Sequence, residues 1–201
     1  PHSDEMSFEL MAEDLAELMA HLAIEKAHIL GHSMGGKTAM KFADLHPDKL
    51  EKLIIVDIAP KKYQPGHTAY FHAFNTINFS LFETRKEADT ALAEIESNIG
   101  IRQFLLKNLD KADVGYQLKF NLKPIEAFYP KMIDVMKFQW IISVPTLFIY
   151  GENSGYITEN DMLTIEETFT ESSFVEISDA GHWVHAEQPR AFYDTVLDFL
   201  A

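Results

Sequence analysis

The chain has 201 residues, 47% of them hydrophobic, which is enough to bury one substantial core, and no apolar run approaches the length needed to cross a bilayer. A formal charge of −14 argues against nucleic acid as a general partner. The absence of cysteine excludes disulfides and thiolate chemistry and fits a reducing, cytoplasmic compartment.

The polar opening segment, Pro1 to Met6, shows no targeting pattern. From Ser7, a capping residue, Phe8, Met11, Leu15, Leu18, Met19 and Leu22 recur at helical spacing. A short apolar run, Ala27 to Leu30, then ends in Gly31-His32-Ser33-Met34-Gly35-Gly36-Lys37, and helix-favouring residues follow to Leu45, stopping near His46-Pro47. That order is strand, sharp turn, helix, with Ser33 at the apex. A serine on such a turn has its hydroxyl pushed above the sheet edge, where side chains two residues before and after would collide. Gly31 and Gly35 read as the removal of those side chains. The helix that follows points its first N–H groups toward any anion forming at the serine. Leu53 to Val56 is a continuous apolar run, as in a parallel strand covered on both faces, and it ends in Asp57-Ile58-Ala59-Pro60.

Between Lys61 and Ile142 the strand–helix rhythm is lost. Segments 87–95, 101–109 and 125–136 read as helices, and aromatics are frequent. This segment carries 11 basic and 9 acidic residues, whereas the remainder carries 6 and 22, so the middle is electrostatically distinct from its flanks. Rhythm resumes with a strand over 145–150, a helix over 159–169, a strand over 174–177 and a helix from Pro189 to Leu200. The pattern predicts an α/β fold, a mostly parallel sheet with helices on both faces, built from 1–60 and 143–201 and interrupted by a helical insertion over 61–142. In such sheets reacting groups collect at the carboxyl ends of the strands, here Gly31–Ser33, Asp57–Pro60 and Asp179–His182.

A serine hydroxyl needs a neighbouring base, and the base an orienting carboxylate. His182 follows the last strand and precedes the last helix, and Ala180-Gly181 lets its loop turn tightly. His185 is its rival, three residues on, where a helix would turn it away. Asp57 is the leading carboxylate because it ends the strand next to the serine; Glu152 and Asp161 are weaker candidates. No residues have metal-ligand spacing, so no metal or cofactor is expected.

The Gly31–Lys37 stretch resembles the nucleophile elbow of the α/β-hydrolase superfamily, and the G-H-x-x-x-x-E-x-P phrase from Gly181 to Pro189 is characteristic of it. Together with V-D-I-A-P (Val56 to Pro60) and G-x-N-S-x-Y (Gly151 to Tyr156), these motifs are similar to the bacterial YbfF-type esterases. Those are Ser–Asp–His hydrolases of esters and acyl-CoA thioesters with the acid at the Asp57 position. The resemblance implies Ser33 as nucleophile, His182 as base, Asp57 as acid, the Met34 backbone N–H as an oxyanion donor, and Gly31, His32, Gly35 and Gly36 as the elbow. It departs from the commoner superfamily pattern at Gly151-Glu152-Asn153-Ser154, where serine stands in the usual place of the acid.

The 61–142 segment would be a cap whose aromatics either line an acyl cleft or fill a small core. Lys61, Lys62, Arg85, Lys86 and Trp183 would contact the substrate, a small-molecule ester or an acyl-CoA. In the superfamily, strands and a helix precede the position of Ser7 and supply a second oxyanion donor. The expectation is therefore a C-terminal portion, with an upstream segment of the same protein as its partner, poorly stable alone, and with the question of an upstream targeting signal open. The same triad would also serve C–C bond hydrolysis or perhydrolysis, and a non-catalytic binding module is the remaining alternative.

Overall fold

The computed structural model describes residues 3–201; Pro1 and His2, with which the polar opening segment and the 1–60 core segment begin, lie outside the described residues. The chain divides into two compact units. One is Gln64–Ile133 with residues 3–6, the other Ser7–Tyr63 with Asp134–Ala201. These boundaries differ from the expected 1–60, 61–142 and 143–201 in three places: residues 61–63 and 134–142 group with the α/β unit, and residues 3–6 with the other.

In the α/β unit four parallel strands lie in the order β1, β2, β5, β6: β1 (Ala27–His32), β2 (Leu50–Val56), β5 (Thr146–Gly151) and β6 (Ser172–Ile177). β2 and β5 are adjacent although about ninety residues separate them in the chain, with Leu53 opposite Thr146 and Val56 opposite Ile149. Their apolar runs face two layers. Leu53, Ile55 and Phe148 pack with residues of α1 (Phe8–His21), α2 (Met34–Leu45) and α7 (Glu159–Thr168). Ile54, Val56, Leu147 and Ile149 pack with Val184 and with Phe192, Val196 and Phe199 of α9 (Pro189–Leu200). This alternation is why both strands read as continuous hydrophobic segments. No helix among the described residues is long and apolar enough to cross a membrane.

α2 carries a polar stripe that the sequence did not mark as buried. Lys37, Lys41 and Asp44 recur at helical spacing and are at most 7% exposed. Lys37 Nζ donates to the carbonyls of Asp134 (2.8 Å) and Lys61 (3.2 Å). Lys41 Nζ donates to Asp44 Oδ2 and to the Lys137 carbonyl, and Asp44 Oδ1 accepts the N–H groups of Gln139 and Trp140. The stripe thus satisfies the backbone of the irregular segment that returns to β5, a segment with no ladder of its own.

Burial pulls the Lys37 ammonium from 10.5 to about 8, against an opposing pull from the Asp134 carboxylate. Below pH 8 both the folded and the unfolded chain hold the proton, and the cost of burying the charge is present in full. Between 8 and 10.5 the unfolded chain binds more protons, so stability rises with pH across that window. Against Lys37→Met, the wild-type chain is expected to gain on the order of 3 kcal/mol from pH 7.5 to 10.5 in chemical denaturation. A wild-type minus variant difference that is flat across the window contradicts this.

The other unit has its own core. α3 (Thr68–Thr76), α4 (Arg85–Ala93), α5 (Ile99–Leu106) and a hairpin of β3 (Leu109–Lys111) and β4 (Tyr116–Leu118) bury Ala73, Phe79, Ala88, Leu92, Leu105, Leu106 and Leu109 together, and α6 (Leu122–Met132) completes the unit. Tyr70, Phe74 and Phe82 pack on that cluster, so a small core accounts for these aromatics. Thr84 and Glu87 form a reciprocal capping box that starts α4, and the Asn98 side chain caps α5.

Candidate active site

The parallel ladder positions the chemistry. At its carboxyl edge the Ser33 N–H donates to the Val56 carbonyl (3.0 Å) and the Asp57 N–H to the Ile149 carbonyl (2.8 Å), which sets both residues at neighbouring strand ends. Ser33, Asp57 and Asp179 all have positive φ (54°, 49° and 58°). Backbone of this kind in a non-glycine residue costs on the order of 1–3 kcal/mol and persists only where the surroundings over-determine it. Three chain reversals at one sheet edge carry that strain.

The side chains converge. His182 Nε2 lies 3.0 Å from Ser33 Oγ, and His182 Nδ1 lies 2.7 Å from Asp57 Oδ2. A carboxylate can only accept, so Nδ1 holds the proton and Nε2 is left to accept from the serine. Asp57 has no exposed surface. Its Oδ1 accepts the Gly151 N–H (3.2 Å), and its Oδ2 accepts the Ser154 hydroxyl as well as His182. Ser154, which stands where the commoner pattern has its acid, therefore hydrogen-bonds the carboxylate on the neighbouring strand.

The alternatives fall elsewhere. Glu152 accepts the Asp179 N–H. Asp161 pairs with Lys61 and caps α7 through Thr158; burial raises its carboxyl, but these partners outweigh burial and hold it below the usual range. His185 is exposed in α8 (Val184–Glu187), its ring edge-on to His32.

The histidine loop is held from two sides. Glu187, the acidic residue of the G-H-x-x-x-x-E-x-P phrase, accepts the N–H groups flanking His182, those of Gly181 (2.6 Å) and Trp183 (3.2 Å). His32 Nε2 lies 2.8 Å from the His182 carbonyl, so that nitrogen carries its proton. Burial lowers the His32 pKa, against this hydrogen bond, and favours the uncharged ring. The Trp183 ring sits 5.5 Å from His32 and 6.1 Å from His182.

One expectation needs correction. Gly35 is not a relief of crowding: a Cβ there would meet nothing within 4 Å. The tight positions are Gly31, where a Cβ would lie 2.2 Å from the Gly35 carbonyl oxygen, and Gly36, where it would meet the Ile58 side chain at 2.5 Å. The crowding comes from the backbone of the turn and from the Ile58 side chain, not from side chains at 31 and 35 meeting each other. Lys61 and Arg85, which the sequence offers as substrate contacts, have partners within their own units. Lys61 pairs with Asp161, and Arg85 donates to the Leu106 and Leu109 carbonyls at 2.9 Å each. Lys62 and Lys86 are exposed. Met34 opens α2, where N–H groups have no acceptor within the helix.

A family model described as the alpha/beta hydrolase fold matches residues 1–189. The chain belongs to the α/β-hydrolase fold family. Its relatives in the family include esterases and lipases. It is 36% identical to the sn-1-specific diacylglycerol lipase ABHD11 of Mus musculus, over all of this chain and 67% of the lipase. It is 34% identical to Esterase YbfF of Escherichia coli, over all of this chain and 77% of the esterase. A solved structure titled "Marine microorganism esterase" superposes with a TM-score of 0.95 at 43% identity, covering 99% of this chain and 79% of that one. The chain spans about two thirds of the length of the diacylglycerol lipases it matches. Ser33 stands between the end of β1 and the start of α2.

Proposed function

We propose that this chain is a serine hydrolase that cleaves carboxylic esters through an acyl-enzyme on Ser33, with His182 as base and Asp57 as the orienting acid. The observation that carries the reading is the continuous hydrogen-bonded line from Ser33 Oγ through both nitrogens of His182 to Asp57. Ser33 Oγ attacks the ester carbonyl carbon while its proton passes to His182 Nε2. The resulting oxyanion is met by the Met34 N–H at the start of α2. Collapse breaks the carbonyl-to-leaving-group bond, and His182 returns the proton to the departing alcohol. Water, deprotonated by the same Nε2, then attacks the acyl-enzyme and releases the carboxylic acid and Ser33. Asp57 keeps Nδ1 protonated throughout. Acyl-CoA thioesters are the second proposed substrate class: a thioester passes through the same tetrahedral intermediate, and residues 61–142 carry more basic than acidic side chains.

The test is fluorophosphonate labelling read by peptide mass spectrometry, alongside hydrolysis of p-nitrophenyl esters and of an acyl-CoA. A single adduct on Ser33 and ester turnover that stops as the adduct accumulates are the expected results. An adduct on another residue overturns the assignment of the nucleophile. A folded chain that takes no label and turns over no ester favours the binding-module reading.

A further inference from the structure

Tyr156 closes the Gly151–Tyr156 motif, and the acyl-transfer steps leave its side chain without a role. Its ring is stacked on the His182 imidazole, with centroids 4.0 Å apart and planes inclined by 20°. Tyr156 is anchored independently of that contact. Its N–H donates to Ser154 Oγ (3.3 Å), and Ser154 in turn donates to Asp57. Its carbonyl accepts the Tyr63 hydroxyl (2.9 Å), which also accepts the Ala59 N–H (2.7 Å). The Tyr63 ring lies 5.1 Å from that of Tyr156, and burial raises the Tyr63 hydroxyl pKa and keeps it protonated as a donor. One short loop therefore holds the acid through Ser154 and presents an aromatic face to the base.

The placement has a consequence for charge. When Ser33 is acylated, the imidazole becomes an imidazolium, a cation lying against a π face. The negative quadrupole of an aromatic face attracts a cation and does much less for a neutral ring. An interaction that strengthens only as the charge forms lowers the barrier rather than the substrate's dissociation constant. We propose that Tyr156 is a positioning residue whose aromatic face stabilises the His182 imidazolium during acylation of Ser33. This rests on the triad reading above. It assigns the aromatic at the end of the G-x-N-S-x-Y motif to the base, as Ser154 is assigned to the acid.

A cation–π contact of this kind corresponds to roughly 2- to 30-fold in rate. Tyr156→Leu, which keeps apolar bulk but no π face, is expected to lower kcat for a p-nitrophenyl ester about 10-fold with KM changed less than about twofold, and to slow fluorophosphonate inactivation in proportion. Tyr156→Phe is expected to rescue most of that loss. The same substitutions are made in a His182→Ala background, where no imidazolium forms; there Tyr156→Leu is expected to change the residual rate by less than twofold. Tyr156→Met replaces the leucine variant if that variant does not fold.

A Leu loss that persists undiminished in His182→Ala overturns the proposal, since the ring would then act only through packing. A Phe variant as slow as Leu overturns it as well, because the hydroxyl rather than the face would matter. So does a loss confined to KM, or a Leu variant at the wild-type rate. If His182→Ala itself reacts at the wild-type rate, the triad reading fails, and that result is distinct from all the others.

Discussion

Asp57→Asn is expected to slow acylation of Ser33 about 10⁴-fold while leaving the chain folded. The carboxylate sits between three donors: the Gly151 N–H on Oδ1, and the Ser154 hydroxyl and His182 Nδ1 on Oδ2. An asparagine of the same shape offers one acceptor oxygen and one NH₂. With the NH₂ turned toward His182, Nδ1 must become the acceptor and the proton moves to Nε2. That nitrogen can then no longer take the serine's proton. With the NH₂ turned the other way, it meets the Gly151 N–H donor-to-donor in a site with no exposed surface, a contact that costs on the order of 1–3 kcal/mol. The amide therefore settles on the first orientation, and the wrong tautomer of His182 follows. The second-order rate constant for fluorophosphonate inactivation reads the effect, with far-UV circular dichroism as the check on folding. A rate within tenfold of wild type would remove Asp57 from the mechanism.

The architecture was legible where burial imposes a simple pattern. β2 and β5 have layers on both faces, so 53–56 and 147–149 are unbroken apolar runs, and α9 begins at the proline that marks it. The edge to which Ser33, Asp57 and His182 come was legible for the same reason: parallel strands deliver their carboxyl ends to one side. What was not legible depends on contacts between segments far apart in sequence. Lys37, Lys41 and Asp44 have the composition of a solvated helix face, and only the irregular return segment with its unpaired carbonyls and N–H groups makes burying them favourable. In α3 apolar residues occupy several faces, which hides the stripe of Tyr70, Ala73 and Phe74 that packs into the core. β3 and β4 are three residues each, Leu-Asp-Lys and Tyr-Gln-Leu, too short for alternation to register. The turn between them needs Gly115 at φ 65°, where a Cβ would strike the Ser80 backbone at 2.2 Å. Within the site, the sequence marks Ser154 only as a departure from the common pattern. Its actual partner lies 97 positions away in the chain.

The two glycines that flank Ser33 look equivalent in sequence and are expected to respond in opposite directions. At Gly31 a Cβ would lie 2.2 Å from the Gly35 oxygen, 2.5 Å from the Gly35 carbonyl carbon and 2.7 Å from the Gly36 nitrogen. All three are backbone atoms at the start of α2, so no side chain can move aside. Gly31→Ala must push the first turn of α2 away from β1, at a cost of about 1–3 kcal/mol by analogy with overpacked cores. The turn carries Ser33 with it, and a displacement of 1 Å at a reacting atom costs on the order of 10²-fold in rate. Gly35, by contrast, lies inside α2 with nothing within 4 Å of its Cβ direction. Alanine there removes backbone freedom from the unfolded chain and restores helix propensity, so Gly35→Ala is expected to raise stability by roughly 0.4–1 kcal/mol with a labelling rate near wild type. Denaturant midpoints and fluorophosphonate inactivation rates for the two variants decide the matter. Equal destabilisation would mean that a side chain at 35 is excluded as firmly as one at 31. Opposite signs place the steric demand of the elbow on the strand side of the serine, where the chain must pass beneath the first turn of the helix.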